Sequence, residues 1–182
     1  LMNQFKLVDV PTEGVSESDI LRKTGADYEN YRIGIRAIAS ATNQRSLIAT
    51  LLPRYTTAAN NLLMEKDVDP TKIQEKLFIL GLLNSYVLDF VLKKLVNTNI
   101  NQTYLKQLPI PEMCDISSSD DIIQIVKRLL LENGPLYEEL EVLVPGNSFK
   151  KLTHDDLIAE LNARVMLAFE LTREDIIDLM KT

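Results

Sequence analysis

Residues 31–53 read YRIGIRAIASATNQRSLIATLLP. Ile33, Ile35 and Ala37 alternate with Arg32, Gly34 and Arg36, the period of a β-strand with one basic face. The run LIATLLP (residues 47–53) is short, apolar, partly β-branched and closed by proline, the pattern of a central strand. SATNQRS between them is rich in turn formers. The simplest arrangement of the two runs is an antiparallel hairpin with a loop of several residues.

Working outward, FKLVDV near the N-terminus suggests a short strand within residues 1–10. Residues 11–30 are dense in charge and turn formers and read as a loop, with one helical turn near Ser18–Arg22. Residues 54–70 look irregular. Asp69-Pro70 then marks a helix start, because proline in the first turn gives up an N–H that has no partner there. The helix is predicted over residues 71–96. Ile73, Leu77, Leu80, Val87, Val91 and Leu95 line one face, and Phe78, Leu82, Leu83, Leu88 and Leu92 widen the apolar sector, so it packs on more than one side. YLKQLPIP (residues 104–111) alternates and closes on two prolines, as an edge strand or extended exit does.

Beyond Pro111 the pattern becomes helical. Ser118 with Asp121 has the spacing of a capping box, as do Thr153 with Asp156 and Thr172 with Asp175. LYEELEVLV predicts a further short helix. The expected fold is therefore α+β: a small, mostly antiparallel sheet packed on a long buried helix, followed by an all-helical C-terminal part. The expected division is residues 1–111 and 112–182.

The chain has 182 residues, of which 46% are hydrophobic and 25% charged, enough to bury a core. Its one cysteine, Cys114, permits no intrachain disulfide and fits a reducing, cytoplasmic setting. No secretory leader is expected from LMNQFKLVDVPTEG, and the apolar run over residues 77–95 is interrupted by Asn84, Ser85 and Asp89, so no membrane span is expected. The net charge of −6 is unevenly spread. Residues 30–110 hold ten Lys/Arg against five Asp/Glu, and residues 112–182 hold seven against fifteen. A basic middle between acidic ends permits contact with DNA through the middle.

No constellation for catalysis stands out. The six glycines are scattered, without a phosphate-binding loop. His154 is the only histidine and sits in a predicted first helical turn. The carboxylate pairs Asp120-Asp121 and Asp155-Asp156, and the Glu138-Glu139-Glu141 group, lie near helix N-termini, where they complement the helix dipole. No metal or cofactor is expected in this segment. The functional candidates are polar groups of the basic middle: Arg32, Arg36, Asn43, Gln44, Arg45, Arg54, Lys93, Lys94, Asn99, Asn101, Gln102 and Lys106. Guanidinium and amide side chains pair with base edges, and lysines meet phosphates. The same Asn and Thr residues also hold turn shape through their own backbone, so both roles stay open.

Three stretches in order carry a resemblance: residues 31–53, LFILGLLNSYVLDFVLKKLVNTNINQTYLKQLPIPE (residues 77–112), and LIAELNARVMLAFELTREDIIDLM (residues 157–180). Together they resemble the C-terminal target-recognition region of type IIG restriction–modification enzymes and related adenine-specific, phage-defence DNA methyltransferases. The resemblance spans residues 31–182. It implies duplex DNA and an upstream methyltransferase domain of the same parent chain as partners. It also implies S-adenosylmethionine as the parent's cofactor, with magnesium if the parent cuts DNA. The methyltransferase signatures are absent here, so the segment itself is expected to be non-catalytic. Arg36, Thr42, Asn43, residues 45–53, Leu83-Asn84-Ser85 and the Asn101 to Pro111 segment follow the family pattern. That recurrence implies scaffold or DNA-backbone roles for them. Asn162 and Phe169-Glu170 stand where the family has an aspartate and a Tyr-Gly pair, so the resemblance does not extend to the geometry of the last turn. The alternative from another class is a non-catalytic protein-interaction module with acidic helices.

Overall fold

The computed structural model describes residues 5–6, 27–40, 42–66, 68–146, 149 and 151–181. The fold is α+β, as the pattern predicts. Four strands, β1 (Phe5–Lys6), β2 (Arg32–Arg36), β3 (Ala49–Leu52) and β4 (Leu62–Glu65), form an antiparallel sheet in the order β1-β4-β2-β3. Of the N-terminal expectations only Phe5–Lys6 is described as strand; the helical turn near Ser18–Arg22 lies outside the described residues.

The hairpin forms with Ile33 opposite Leu51 and Ile35 opposite Ala49. Partners across an antiparallel pair share a face, so Ile33, Ile35, Ala49, Leu51 and Leu63 point together into the core. The opposite face is not the open basic surface that the alternation predicts. Arg32 is buried and donates to the carbonyl of Thr56, and Leu52 lies across Gly34, where a Cβ would stand 3.1 Å from its side chain.

Two further expectations about the sheet need correction. β3 is an edge strand, because β4 rather than β3 occupies the middle beside β2. Helix side chains take the place of a further strand: the Asn84 amide accepts from Ala49 N at 3.2 Å and donates to Ala49 O at 2.9 Å. Tyr137 donates its hydroxyl to Leu51 O at 2.6 Å. An edge covered in this way offers fewer free groups for pairing with another chain. The second correction is β4 itself, which lies inside the stretch read as irregular.

Asp69 accepts from Thr71 N and Pro70 opens a short 3-10 turn, as predicted. Helix α1 (Ile73–Leu83) follows, with nine of its eleven residues buried, so it is packed all round. The single helix predicted over residues 71–96 is in fact two. Asn84 and Ser85 break it, and α2 (Tyr86–Leu95) starts anew. The Ser85 hydroxyl accepts from Leu88 N and donates to Leu82 O at 2.6 Å, stitching the two helix ends. The predicted edge strand over residues 104–111 is likewise absent; a one-turn helix α3 (Gln102–Leu105) stands there, capped by Asn101.

The C-terminal part is helical throughout: α4 (Ser119–Leu131), α5 (Leu140–Leu143), α6 (His154–Ala168) and α7 (Arg173–Leu179). Thr153 with Asp156 and Thr172 with Asp175 form complete capping boxes. Ser118 makes no side-chain cap bond, so that predicted box does not form. α1 packs most extensively on α4, and Gly81 permits it: a Cβ there would lie 2.6 Å from Ile122 Cγ2. One buried cluster runs from the inner sheet face through α1 into α4 and α6. No helix among the described residues is long and apolar enough to cross a membrane.

Candidate nucleic-acid interface

The turn between β2 and β3 is pinned from below by one carboxylate. Asp89, buried on α2, accepts from Ser46 N at 2.8 Å and Leu47 N at 2.7 Å through Oδ1. Its Oδ2 lies 3.5 Å from both Arg45 Nε and Lys93 Nζ. Further ties close the loop. Arg36 donates to Arg45 O at 2.9 Å, Lys93 donates to Gln44 O at 3.0 Å, and Ser46 Oγ donates to Ser40 O at 2.5 Å. The Ser40 and Thr42 hydroxyls bond each other at 2.9 Å. The loop backbone is therefore fixed while Thr42, Asn43 and Gln44 remain exposed at its tip.

A second segment joins this tip. Ile38 pairs with Asn99 in an antiparallel bridge, Ala39 N donates to Thr98 O at 3.0 Å, and Ile100 N donates to Ala37 O at 2.7 Å. These contacts lay the polar loop after α2 beside the hairpin turn. The sequence clusters TNQRS (residues 42–46) and NTNINQTYLK (residues 97–106), far apart in the chain, thus meet on one surface. Residues 30–64 and 90–111, which supply it, contain no Asp or Glu. The carboxylate under the hairpin turn, Asp89, is buried beneath two cations.

The twelve candidate residues fall into three groups. Arg32, Arg45, Arg54 and Lys93 are committed inward. Burial lowers the pKa of Arg32 from its ordinary value, against the opposing pull of Asp27 and Glu65. Arg45 donates to Asn84 O at 2.8 Å and stacks 5.0 Å over Tyr86. Arg54 pairs with Glu139 at 3.1 Å and lies over Tyr31, joining the sheet to the C-terminal part. Arg36, Asn101 and Gln102 sit within the backbone framework: Arg36 holds the turn, Asn101 accepts from Tyr104 N at 3.1 Å, and Gln102 is half-buried at the start of α3. Asn43, Gln44, Lys94, Asn99 and Lys106 face solvent. Lys94 lies 4.9 Å over Phe90, and Lys106 has no ion-pair partner among the described residues.

Three residues essential to this arrangement escape a reading of the sequence alone for their role. Asp89 looks like an interruption in an apolar helix and proves to be the anchor of the turn. Asn84 looks like a polar residue within a helix and proves to be the cover of the β3 edge. Asn162 accepts from Tyr86 N at 2.8 Å, so it caps α2 from α6. A polar residue inside an apolar helical sector is the signal that could have found all three, since burial of such a group requires a partner.

Elsewhere the chemistry is quiet. His154 Nδ1 lies 2.7 Å from Glu132 Oε2 at the surface, and Cys114 is exposed. No group of His, Cys, Asp and Glu among the described residues has the spacing of a metal site. An apolar groove of about 360 Å³ lies between β3, α1, α4 and α6, with Arg45, Asn84 and His154 among its lining residues. Compared with protein-family models, curated proteins and solved structures, the chain finds no match.

Proposed function

We propose that this chain is a DNA-recognition segment of a fused adenine methyltransferase or restriction–modification enzyme. It holds duplex DNA while an upstream domain of the parent flips and methylates an adenine. The observation that carries this reading is the surface built from two carboxylate-free stretches, residues 30–64 and 90–111, joined by the Ile38–Asn99 bridge. Neither stretch itself brings a carboxylate to a phosphate backbone, and Lys94 and Lys106 flank exposed amides. Arg36 and Arg45, which donate to backbone carbonyls, fit the scaffold role that the family pattern implies for them. The acidic helices α4–α7 face the rest of the parent. The parent uses S-adenosylmethionine, and magnesium if it cleaves.

Fluorescence anisotropy with a labelled duplex tests the reading. Affinity should fall steeply between about 50 and about 200 mM salt, with each phosphate contact adding about 0.9 to the slope of log K against log salt. Absence of binding at low salt, by the chain and by any longer parent, refutes it.

A second reading, a protein-interaction module, is favoured by one observation. Val142, Leu167 and Met180 on the C-terminal helices are 84%, 70% and 67% exposed beside the excess of acidic side chains. Under that reading, charge reversal of Lys94 and Lys106 leaves every binding property unchanged.

A further inference from the structure

We infer that the tip of the β2–β3 turn and the paired loop after α2 read bases through amides, and that the edge they read is adenine's. This deepens the proposed function and rests on it. Among the described residues, the side-chain amides of Asn43, Gln44, Asn97 and Asn99 make no intramolecular hydrogen bond, and all four residues are exposed. Their backbone is held by the Asp89, Lys93 and Arg36 contacts and by the Ile38–Asn99 bridge. Free donor–acceptor groups on a fixed backbone bind without first ordering the loop that carries them.

The chemistry of these groups selects the base. A carboxamide offers one acceptor and a donor pair, the complement of adenine N6–H and N7 in the major groove. Guanine presents two acceptors there, best met by a guanidinium fork. The two arginines of this region are turned away: Arg36 donates to Arg45 O, and Arg45 donates to Asn84 O beside Asp89. The surface therefore keeps amides and gives up guanidinium forks. The single Ile38–Asn99 bridge sets the two amide-bearing loops side by side. Lys94 and Lys106 then supply phosphate contacts that position these loops without reading sequence.

Selection of binders from a random-sequence duplex pool tests the inference, using the 182-residue chain, Asn43→Ala/Gln44→Ala, and Lys94→Ala/Lys106→Ala. All substituted residues are exposed, and unchanged thermal unfolding checks that the variants fold. The natural chain should enrich duplexes with fixed A·T pairs. The amide variant should lose about tenfold to a hundredfold of preference at one or two of those positions, while its salt slope stays the same. The lysine variant should keep the preference and lose about 1.8 from the slope. Enrichment of G·C pairs, or a preference untouched in the amide variant, overturns the inference and leaves DNA binding standing. Equal affinity for duplex RNA also overturns it, because side chains cannot read base edges in the deep, narrow A-form major groove. Absence of any duplex binding removes both the inference and the reading beneath it.

Discussion

Asp89→Ala removes the carboxylate that anchors the β2–β3 turn, and its cost can be worked bond by bond. Ser46 N and Leu47 N belong to fully buried residues and lose their only acceptor. A buried, unsatisfied N–H costs about 1–3 kcal/mol, so the pair contributes about 3 kcal/mol. The carboxylate also stands between Arg45 and Lys93, whose side chains are 26% and 13% exposed. Water reaches both partly, which holds that loss to about 1 kcal/mol. The expected total is about 4 kcal/mol, a large share of a typical domain's stability. It corresponds to a fall in Tm of about 8–16 °C for a chain of this size. Asp89→Asn keeps an oxygen for the two N–H groups and loses only the charge, so it should cost about 1 kcal/mol. Urea unfolding measures both, with an unchanged m-value showing that the unfolded state is the same. An Asp89→Ala cost below about 1 kcal/mol would show that the carboxylate does not hold the turn.

Other expectations follow from single positions. Gly81→Leu should cost about 3 kcal/mol by overpacking α1 against Ile122 and Val126, seen as a lower urea midpoint. Glu170 closes α6 at φ 51°, with Glu170 N bonded to Leu167 O and Leu171 N to Met166 O, the geometry that favours glycine. Glu170→Gly should therefore raise stability by about 1 kcal/mol in the same assay. The Thr153 and Thr172 hydroxyls, then their backbone N–H groups, hold the carboxyls of Asp156 and Asp175 below the ordinary 3.8. A depressed folded pKa means the capping contribution is fully present above pH 3.8 and is lost as pH falls through the lowered value. Carboxyl carbon NMR should show Asp156 returning toward 3.8 in Thr153→Val, while Asp175 does not move.

Local rules carried the fold a long way. The β2–β3 hairpin, the Asp69-Pro70 start and the Thr153 and Thr172 caps are written in spacings of two or three residues, and each forms. What escaped depends on residues far apart in the chain. The apolar sector runs unbroken in character from α1 into α2, and the break at Asn84-Ser85 becomes favourable only because β3 and Asn162 supply partners. β4 is four residues long and has no strong alternation, so its identity comes from pairing with β2. Ser118 has the spacing of a cap without its bond, because its backbone stands at ψ 13° instead of the extended value that the capping threonines adopt. At the candidate site the sequence picks out two polar clusters, which the fold sets side by side, and leaves their members undivided. Which amides and cations face outward is decided by Asp89, Asn84 and the Ile38–Asn99 bridge, all tertiary contacts. Arg45, a natural choice for a phosphate contact, is drawn inward by the open carbonyls at the end of α1 and by the ring of Tyr86.

The most direct measurement is a titration of the nitrogen-15-labelled chain with a short duplex at low salt, followed by two-dimensional NMR. The account predicts shifts in the side-chain amides of Asn43, Gln44, Asn97 and Asn99 and in the backbone of residues 42–45 and 94–106. Signals from α4 to α7 should stay in place. Shifts confined to those acidic helices, or none anywhere at saturating duplex, would contradict it.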